Sequence, residues 1–414
     1  MKIYLVGGAV RDALMGLPMK DYDYVVVGSS PAEMVAKGYK QVGADFPVFL
    51  HPYTGDEYAL ARTERKTGAG YHGFSVYAAP DVTLEDDLSR RDLTINAMAV
   101  DDRDHIIDPF GGQADLAAKV LRHVGPAFAE DPVRILRVAR FAARYDGFSV
   151  APETMALMRG MVEAGEVDAL VPERVWQELS RGLMEAKPSR MLEVLFECGA
   201  LHRLLPEVAR LHGVPQPLAH HPEGPVHIHN NLVLDYAAKC GASLEVRFAC
   251  LMHDLGKGVT PSESWPSHPD HEGLGLPLVE AVCDRYKVPS SCRELAMLTC
   301  RYHTHVHRAL ELRPGSLVKL LSNGDAFRRP ERFTEFLQAC RCDARGRAGK
   351  EESAYPQFDL MVQAMTAARS VNAGEVAKNT ENKAFIPERI HEARVSAVKA
   401  SMRQNPLLKE EHLV

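Results

Sequence analysis

Two carboxylates flank a tyrosine in KDYDYVVVGSS, residues 20–30, just ahead of the apolar run Val25, Val26 and Val27. Side chains alternate between the faces of a strand, so Asp21 and Asp23 point the same way and their charges converge. Like charges held that close repel unless a cation lies between them, and paired carboxylates suit a hard cation such as Mg²⁺. A polar strand end, where Asp is common, would also explain them. The residues before the pair tip the balance. LVGGAVRDALMGLPMKDYD, residues 5–23, reads as strand, glycine turn, short helix carrying Arg11, loop and second strand. Glycine lets a backbone approach phosphate oxygens closely, which makes Gly8 a candidate contact. A triphosphate on that turn, clamped by Arg11 and bridged by Mg²⁺ to Asp21 and Asp23, accounts for the whole device.

A second constellation has a different ligand chemistry. Between His202 and His307 lie 12 of the 18 histidines, including VHIHNN at 226–231 and HDLGKG at 253–258. His253 and Asp254, adjacent on a helix, can each reach a metal or a bridging water, and His229 from an earlier helix completes a ligand shell. Imidazole-rich shells suit transition metals and carboxylate shells suit Mg²⁺, so the two sites should prefer different ions. His271, the run RYHTHVH and Asp343 follow downstream. The alternation of histidines at 303, 305 and 307 offers further contacts, or it marks an exposed loop.

Between these clusters stands EDPVRILRVARFAARY, residues 130–145. A helix begun at Pro132 puts Arg134, Arg137, Arg140 and Arg144 on one stripe, with Ile135, Val138, Ala142 and Tyr145 on the other side. Asp131 would suit an N-cap and Pro132 the first helical position.

The elements that must position these residues fall into two styles. KIYLV, DYDYVVV, EYALART and NAMAVD read as strands, and AVRDALMG and SPAEMVAKGY as helices, giving an α/β unit over roughly the first 125 residues. From Glu130 onward apolar residues recur at three and four, the helical period. The expected domains are a head at 1–140, a helical neck at 141–225, a histidine-rich domain at 226–350 and a helical tail at 351–414. The chain of 414 residues is 46% apolar and only 7% aromatic, the profile of a largely helical soluble protein. Its opening apolar run is too short for a signal peptide, and nothing reaches membrane-spanning length. Eight cysteines without a CxxC pair suggest neither a disulfide framework nor a zinc knuckle, which fits a reducing cytoplasm. A net charge of -6 argues against a uniformly basic nucleic-acid binder, although residues 301–350 carry eleven Lys or Arg against five Asp or Glu.

Taken in order, GGAVRD…KDYD, RRDLTINAMAVD at 90–101 and EDPVRILRVARFAARY resemble the bacterial CCA-adding tRNA nucleotidyltransferases of the class II type, in the form that ends in an HD domain. The resemblance implies an α/β nucleotidyltransferase head, an all-α neck and an all-α HD domain. It implies addition and repair of the tRNA 3′-terminal CCA from CTP and ATP, with no nucleic-acid template. Asp131 and Arg134 would read the base edge of CTP or ATP, Arg137 and Arg140 would hold phosphate and sugar, and Arg91 would be a further nucleotide contact with Asp92 beside it. A loop is implied at 64–74, and Glu57 is a candidate third carboxylate, or else a solvent-facing strand residue. HDLGKG with its flanking histidines is similar to the HD phosphohydrolases, which implies Asp343 as the fourth ligand beside His229, His253 and Asp254, with Lys257 near the scissile phosphate. Implied activities are 2′,3′-cyclic phosphodiesterase, 2′-nucleotidase and phosphatase, dependent on a transition metal such as Ni²⁺. A monomer or homodimer is expected. A poly(A) polymerase shares the head motifs but lacks an HD domain. A guanosine tetraphosphate synthetase-hydrolase carries its HD domain first. A catalytically inactive tRNA-binding scaffold would not need Asp21, Asp23, Arg91, Asp131 and Arg134 together.

Overall fold

The computed structural model describes residues 1–19, 22–42, 48–66 and 74–403. Asp21 and most of the expected 64–74 loop lie outside the described residues. Contacts divide the chain into two units, residues 1–182 with 190–204 and residues 183–189 with 205–414.

In the first unit, strands β1 (Lys2–Val6), β2 (Asp23–Val27), β3 (Lys40–Val42), β4 (Val48–Leu50) and β5 (Glu57–Leu60) build most of one sheet. A hairpin of β6 (Thr63–Lys66) and β7 (Phe74–Tyr77) follows. Strands β8 (Ala99–Val100) and β9 (Ile106–Ile107) complete the sheet, whose order is β3-β4-β5-β2-β1-β8-β9. The expected strand over NAMAVD is shorter than read, because Thr94–Asn96 forms a 3₁₀ turn before it. Strand β2 runs antiparallel to β1 and parallel to β5. Both of its faces are covered: Val25 joins Val6, Leu88 and Ala99, while Val26 packs with Met34, Phe49 and Leu60. Each such buried aliphatic or aromatic side chain contributes about 1.5–3 kcal/mol. Asp23 shares the parity of Val25, so the period of two directs it to the Leu88 face, at the strand's open end.

Helix α1 (Gly8–Leu14) follows β1 directly. Helices α2 (Pro31–Ala36) and α3 (Leu84–Ser89) both start on capping boxes, Ser30 with Glu33 and Thr83 with Asp86. After α4 (Gly112–Ala118) come α5 (Val133–Arg144), α6 (Pro152–Glu163), α7 (Pro172–Leu183), α8 (Ser189–Glu197) and α9 (Ala200–Leu204). The period of 3.6 explains α5: Ile135, Leu136, Val138, Ala139, Ala142 and Ala143 are all buried.

The second unit is helical. It holds α10 (Pro206–Ala209), α11 (Val226–Lys239), α12 (Leu244–Met252), α13 (His271–Tyr286), α14 (Ser290–His307), α15 (Pro314–Asn323), α16 (Pro330–Arg345), α17 (Pro356–Arg369), α18 (Ala373–Lys378) and α19 (Ile386–Met402). Helix α12 is buried all round, with Val246, Phe248, Ala249, Cys250, Leu251 and Met252 at 1% exposure or less. A helix buried to this extent, with its one buried charge, Arg247, satisfied by the carbonyls of Ala242, Leu183 and Glu185, sits within a core, and its end is held correspondingly still. His253 caps that end. Asp254 lies in the turn beyond it rather than on the helix, ahead of the 3₁₀ segment Leu255–Val259. Gly256 is required there, since a Cβ would overlap the backbone carbonyl of His271. Among the described residues, no helix is long and apolar enough to cross a membrane.

Candidate functional sites

In the first unit a cavity of about 720 Å³ opens beside Gly7, Gly8 and Asp23. Ten arginines line it against four carboxylates, Asp23, Asp92, Asp131 and Glu178, so its interior favours an anion of several charges. Gly7 adopts φ +69°, and a Cβ on it would press to 2.9 Å from Arg91 Nη1. Glycine at position 7 therefore serves both the turn and the close approach of an arginine.

A continuous polar network ties the three sequence motifs together. Arg11, buried, donates through Nη1 to Asn96 Oδ1 and through Nε to Asp12 Oδ1 at 2.9 Å. Asn96 Nδ2 donates to Asp92 Oδ1 at 2.9 Å, and Arg137 Nε donates to Asp92 Oδ2 at 2.7 Å. Burial alone would raise the Asp92 pKa, but Arg137 and these hydrogen bonds outweigh it and hold the carboxyl below the usual range. Asp92 is thus a brace between α5 and the RRDLT segment, with both oxygens engaged. Arg140 donates through Nε to Glu178 Oε2 at 2.7 Å. Arg91 pairs with buried Asp87 at 3.2 Å, while its buried Nε meets no acceptor among the described residues.

The predicted arginine stripe is present: Arg134, Arg137, Arg140 and Arg144 all line the cavity, as do Gly8, Arg11, Arg91 and Asp131. The N-cap falls on Pro132 rather than Asp131, one residue later than expected, but Asp131 Oδ1 still accepts from Val133 N at 3.1 Å, and the residue faces the cavity. Arg134 donates to the carbonyls of Ala127 and Arg90 at 2.8 and 2.6 Å, which fixes the guanidinium plane. Glu57, registered opposite Asp23 on the parallel neighbour β5, stands beside the carboxylate it was expected to join. Helix α7 is what the sequence reading missed. It brings Arg174, Gln177, Glu178 and Arg181 to the cavity, spaced by three and four in PERVWQELSR. That spacing was a readable signal, but nothing local says which cavity it faces.

In the second unit the histidines converge with one orientation. His229 lies on α11, His253 at the end of α12, His271 at the start of α13, His303 and His307 on α14, and Asp343 on α16. The alternating run at 303–307 is therefore helix rather than loop, with 303 and 307 one turn apart on the same face. Each of three rings anchors Nδ1 on a carbonyl: His253 on Cys250 at 2.7 Å, His271 on His268 at 3.0 Å and His303 on Thr299 at 3.0 Å. A carbonyl only accepts, so Nδ1 carries the proton and Nε2 of the neutral ring offers a lone pair. His229 Nδ1 meets Glu223 Oε1 at 2.8 Å in the same manner. The free edges then face acids. His229 Nε2 and His253 Nε2 lie 3.0 and 3.9 Å from Asp343 Oδ1, and His271 Nε2 and His303 Nε2 each lie 3.5 Å from Asp254 Oδ1.

A ring nitrogen that faces a carboxylate needs a proton or a metal ion between the two. Among the described residues His253 Nε2 and Asp254 Oδ1 are buried without a hydrogen bond, and three donor groups meet cation-binding distances: His221–Glu223–His229, His229–His253–Asp343 and Asp254–His271–His303, the last two sharing the centre of the cluster. The donor set therefore fits a metal, with Asp254 positioned to serve either of the last two groups. Burial lowers the His253 pKa, yet Asp254 and Asp343 beside it raise it to about 9 when no metal is present. Lys257 Nζ rests 2.7 Å from Asp254 Oδ2 and 2.8 Å from Gln216 Oε1, at a cavity also lined by His221, Asp343 and Arg347. Glu223, His221 and Arg347 were not anticipated from the sequence.

Known proteins agree with this layout. The family model for the poly A polymerase head domain matches residues 3–122, a probable RNA and SrmB-binding site of polymerase A matches 147–211, and an HD domain matches 226–332. Among solved structures, an apo CCA-adding enzyme aligns with a TM-score of 0.66 at 22% identity, over 100% of this chain and 90% of its own. The Thermotoga maritima CCA-adding enzyme complexed with tRNA aligns at 0.62 and 21% identity, over 100% and 90%. The multifunctional CCA protein of Laribacter hongkongensis is 59% identical over 98% of this chain and 100% of its own, and that of Cupriavidus metallidurans is 61% identical over 96% and 98%. With likeness of that degree running end to end, an arginine-lined nucleotidyltransferase head followed by a histidine-rich HD domain identifies the chain as a member of the multifunctional CCA protein family.

Proposed function

We propose that the head adds the 3′-terminal CCA of tRNA from CTP and ATP, and that the HD domain hydrolyses 2′,3′-cyclic phosphates, 2′-phosphates and related phosphomonoesters. The observation that carries the first half is the ten-arginine cavity that reaches from Asp23 and the Gly7–Gly8 turn to Asp131 and Arg134. Arg11, Arg91, Arg137 and Arg140 surround the phosphates and sugar, and Asp131 with Arg134 offers an acceptor and donors to the base edge. The tRNA 3′ hydroxyl then displaces pyrophosphate from the α-phosphorus. Asp21 and Asp23, with Glu57 adjacent, would hold Mg²⁺, which when bound offsets charge on the attacking and leaving oxygens. The second half rests on rings that all turn Nε2 toward Asp254 or Asp343. His229, His253, Asp254 and Asp343, joined by His271 and His303, would hold transition-metal ions such as Ni²⁺, which when bound polarise the phosphoryl group and acidify water. Lys257 sits where it can steady a phosphate oxygen. The cytoplasm is the compartment that suits free thiols and a tRNA substrate.

Two measurements test these assignments. Replacing Asp131 and Arg134 together is expected to relax the preference for CTP and ATP over UTP and GTP by about 10-fold or more, given roughly 1–3 kcal/mol for a bidentate base contact. Changing Arg137 should weaken all four nucleotides evenly. A double variant that keeps its preference and merely unfolds sooner would reduce Asp131 to a helix cap. In the HD domain Glu223→Gln removes the charge that orients His229, and transition-metal affinity by titration calorimetry should fall about 10-fold. Unchanged affinity would contradict that orienting role.

A further inference from the structure

Asp131 holds one unassigned partner, and it is not a nucleotide. Arg174, from α7, grips it with both terminal nitrogens: Nη1 reaches Oδ1 at 3.2 Å and Nη2 reaches Oδ2 at 2.8 Å. Oδ1 also accepts from Val133 N at 3.1 Å. A carboxylate oxygen accepts about two hydrogen bonds, so Oδ1 is saturated and Oδ2 keeps one position open. Both side chains are about three-quarters buried and line the same cavity. A forked pair fixes the plane of the carboxylate as well as its place.

We infer that Arg174 is a positioning residue for base choice: it saturates one oxygen of Asp131, aims the other into the cavity, and so presents a single acceptor to the base edge. This rests on the base-reading role of Asp131 proposed above. An acceptor at that point welcomes the amino group of cytosine N4 or adenine N6 and opposes the carbonyl of uracil O4 or guanine O6. The fork has a second consequence. It commits the guanidinium of Arg174 to Asp131, so that these donors are not offered to a carbonyl-bearing base. Lysine keeps the charge but cannot make the planar two-point grip.

The test compares single-nucleotide incorporation into tRNA lacking its 3′ end, as kcat/KM for CTP and for UTP, in the full-length wild type, Arg174→Lys, Asp131→Asn and the double variant. Thermal unfolding is followed in parallel. Arg174→Lys is expected to lower the CTP-over-UTP ratio about 10-fold. Asp131→Asn should lower it at least as far, and the double variant should add little, because the two residues act through one acceptor. If Arg174→Lys slows both nucleotides by the same factor while Asp131→Asn changes the ratio, Arg174 is only a structural brace and the inference is wrong, although base reading by Asp131 stands. If Asp131→Asn leaves the ratio unchanged, base reading by Asp131 falls and this inference falls with it. Should Arg174→Lys fold poorly, Arg174→Gln measured on the same ratio decides the question in the same way.

Discussion

Asp23→Ala is expected to abolish nucleotide addition, lowering CMP incorporation by about 10³-fold or more, while thermal unfolding stays close to wild type. Asp23 is exposed at the mouth of β2, opposite Val6 in register and next to the Gly7–Gly8 turn, and it lines the arginine-rich cavity. Its side chain fills no part of the core, so its removal leaves the packing of Val25 and Val26 intact. On the proposed mechanism, what is lost is a ligand for the cation that offsets charge building up in the transition state, worth several kcal/mol. Asp21→Ala should behave in the same way. Near-normal CTP incorporation by either variant would remove the carboxylate pair from the chemistry.

The second large effect separates the two sites. His253→Ala or Asp254→Asn should eliminate hydrolysis of 2′,3′-cyclic nucleotides, by about 10²-fold or more, and leave CCA addition in place. The candidate ligands of the HD cluster belong to the second unit, whereas the described residues lining the head cavity all belong to the first. The donor sets differ too, imidazoles with buried acids in one and carboxylates in the other, so a transition metal should stimulate hydrolysis and Mg²⁺ should suffice for addition. Asp254→Asn keeps the buried volume and guards against a packing artefact at a residue 1% exposed. If both activities fall together while unfolding is unchanged, the two sites are not independent.

Parts of this were legible in the sequence, for reasons that are local. Strand β2, the glycine turn, α1 and the stripe on α5 follow from periods of 2 and 3.6 and from glycine's freedom at positive φ, all of which a short window displays. His229, His253 and Asp254 were legible as residue types suited to a metal, although Asp254 falls in the turn after α12 rather than on a helix. Asp343 was assigned only through resemblance, because its partner His229 lies 114 residues away and no periodicity joins them. The contribution of α7 was hidden for the same reason. Arg174 reads as a surface charge until folding carries it to Asp131, 43 residues earlier. Asp92 was expected only beside Arg91 at the nucleotide, and its bonds to Arg137, Asn96 and Leu93 N, which bury its carboxylate, had no local signal. Glu223, in the turn HPEGPVH, gave no signal beyond a polar loop, although it fixes the ring of a buried histidine.

The most direct test incubates the protein with tRNA lacking its 3′ end, CTP, ATP and Mg²⁺, and sequences the product ends. Addition that stops after C, C and A, with UTP and GTP excluded when all four nucleotides compete, is the predicted result. A run of A residues, or tRNA returned without any added nucleotide, would contradict it.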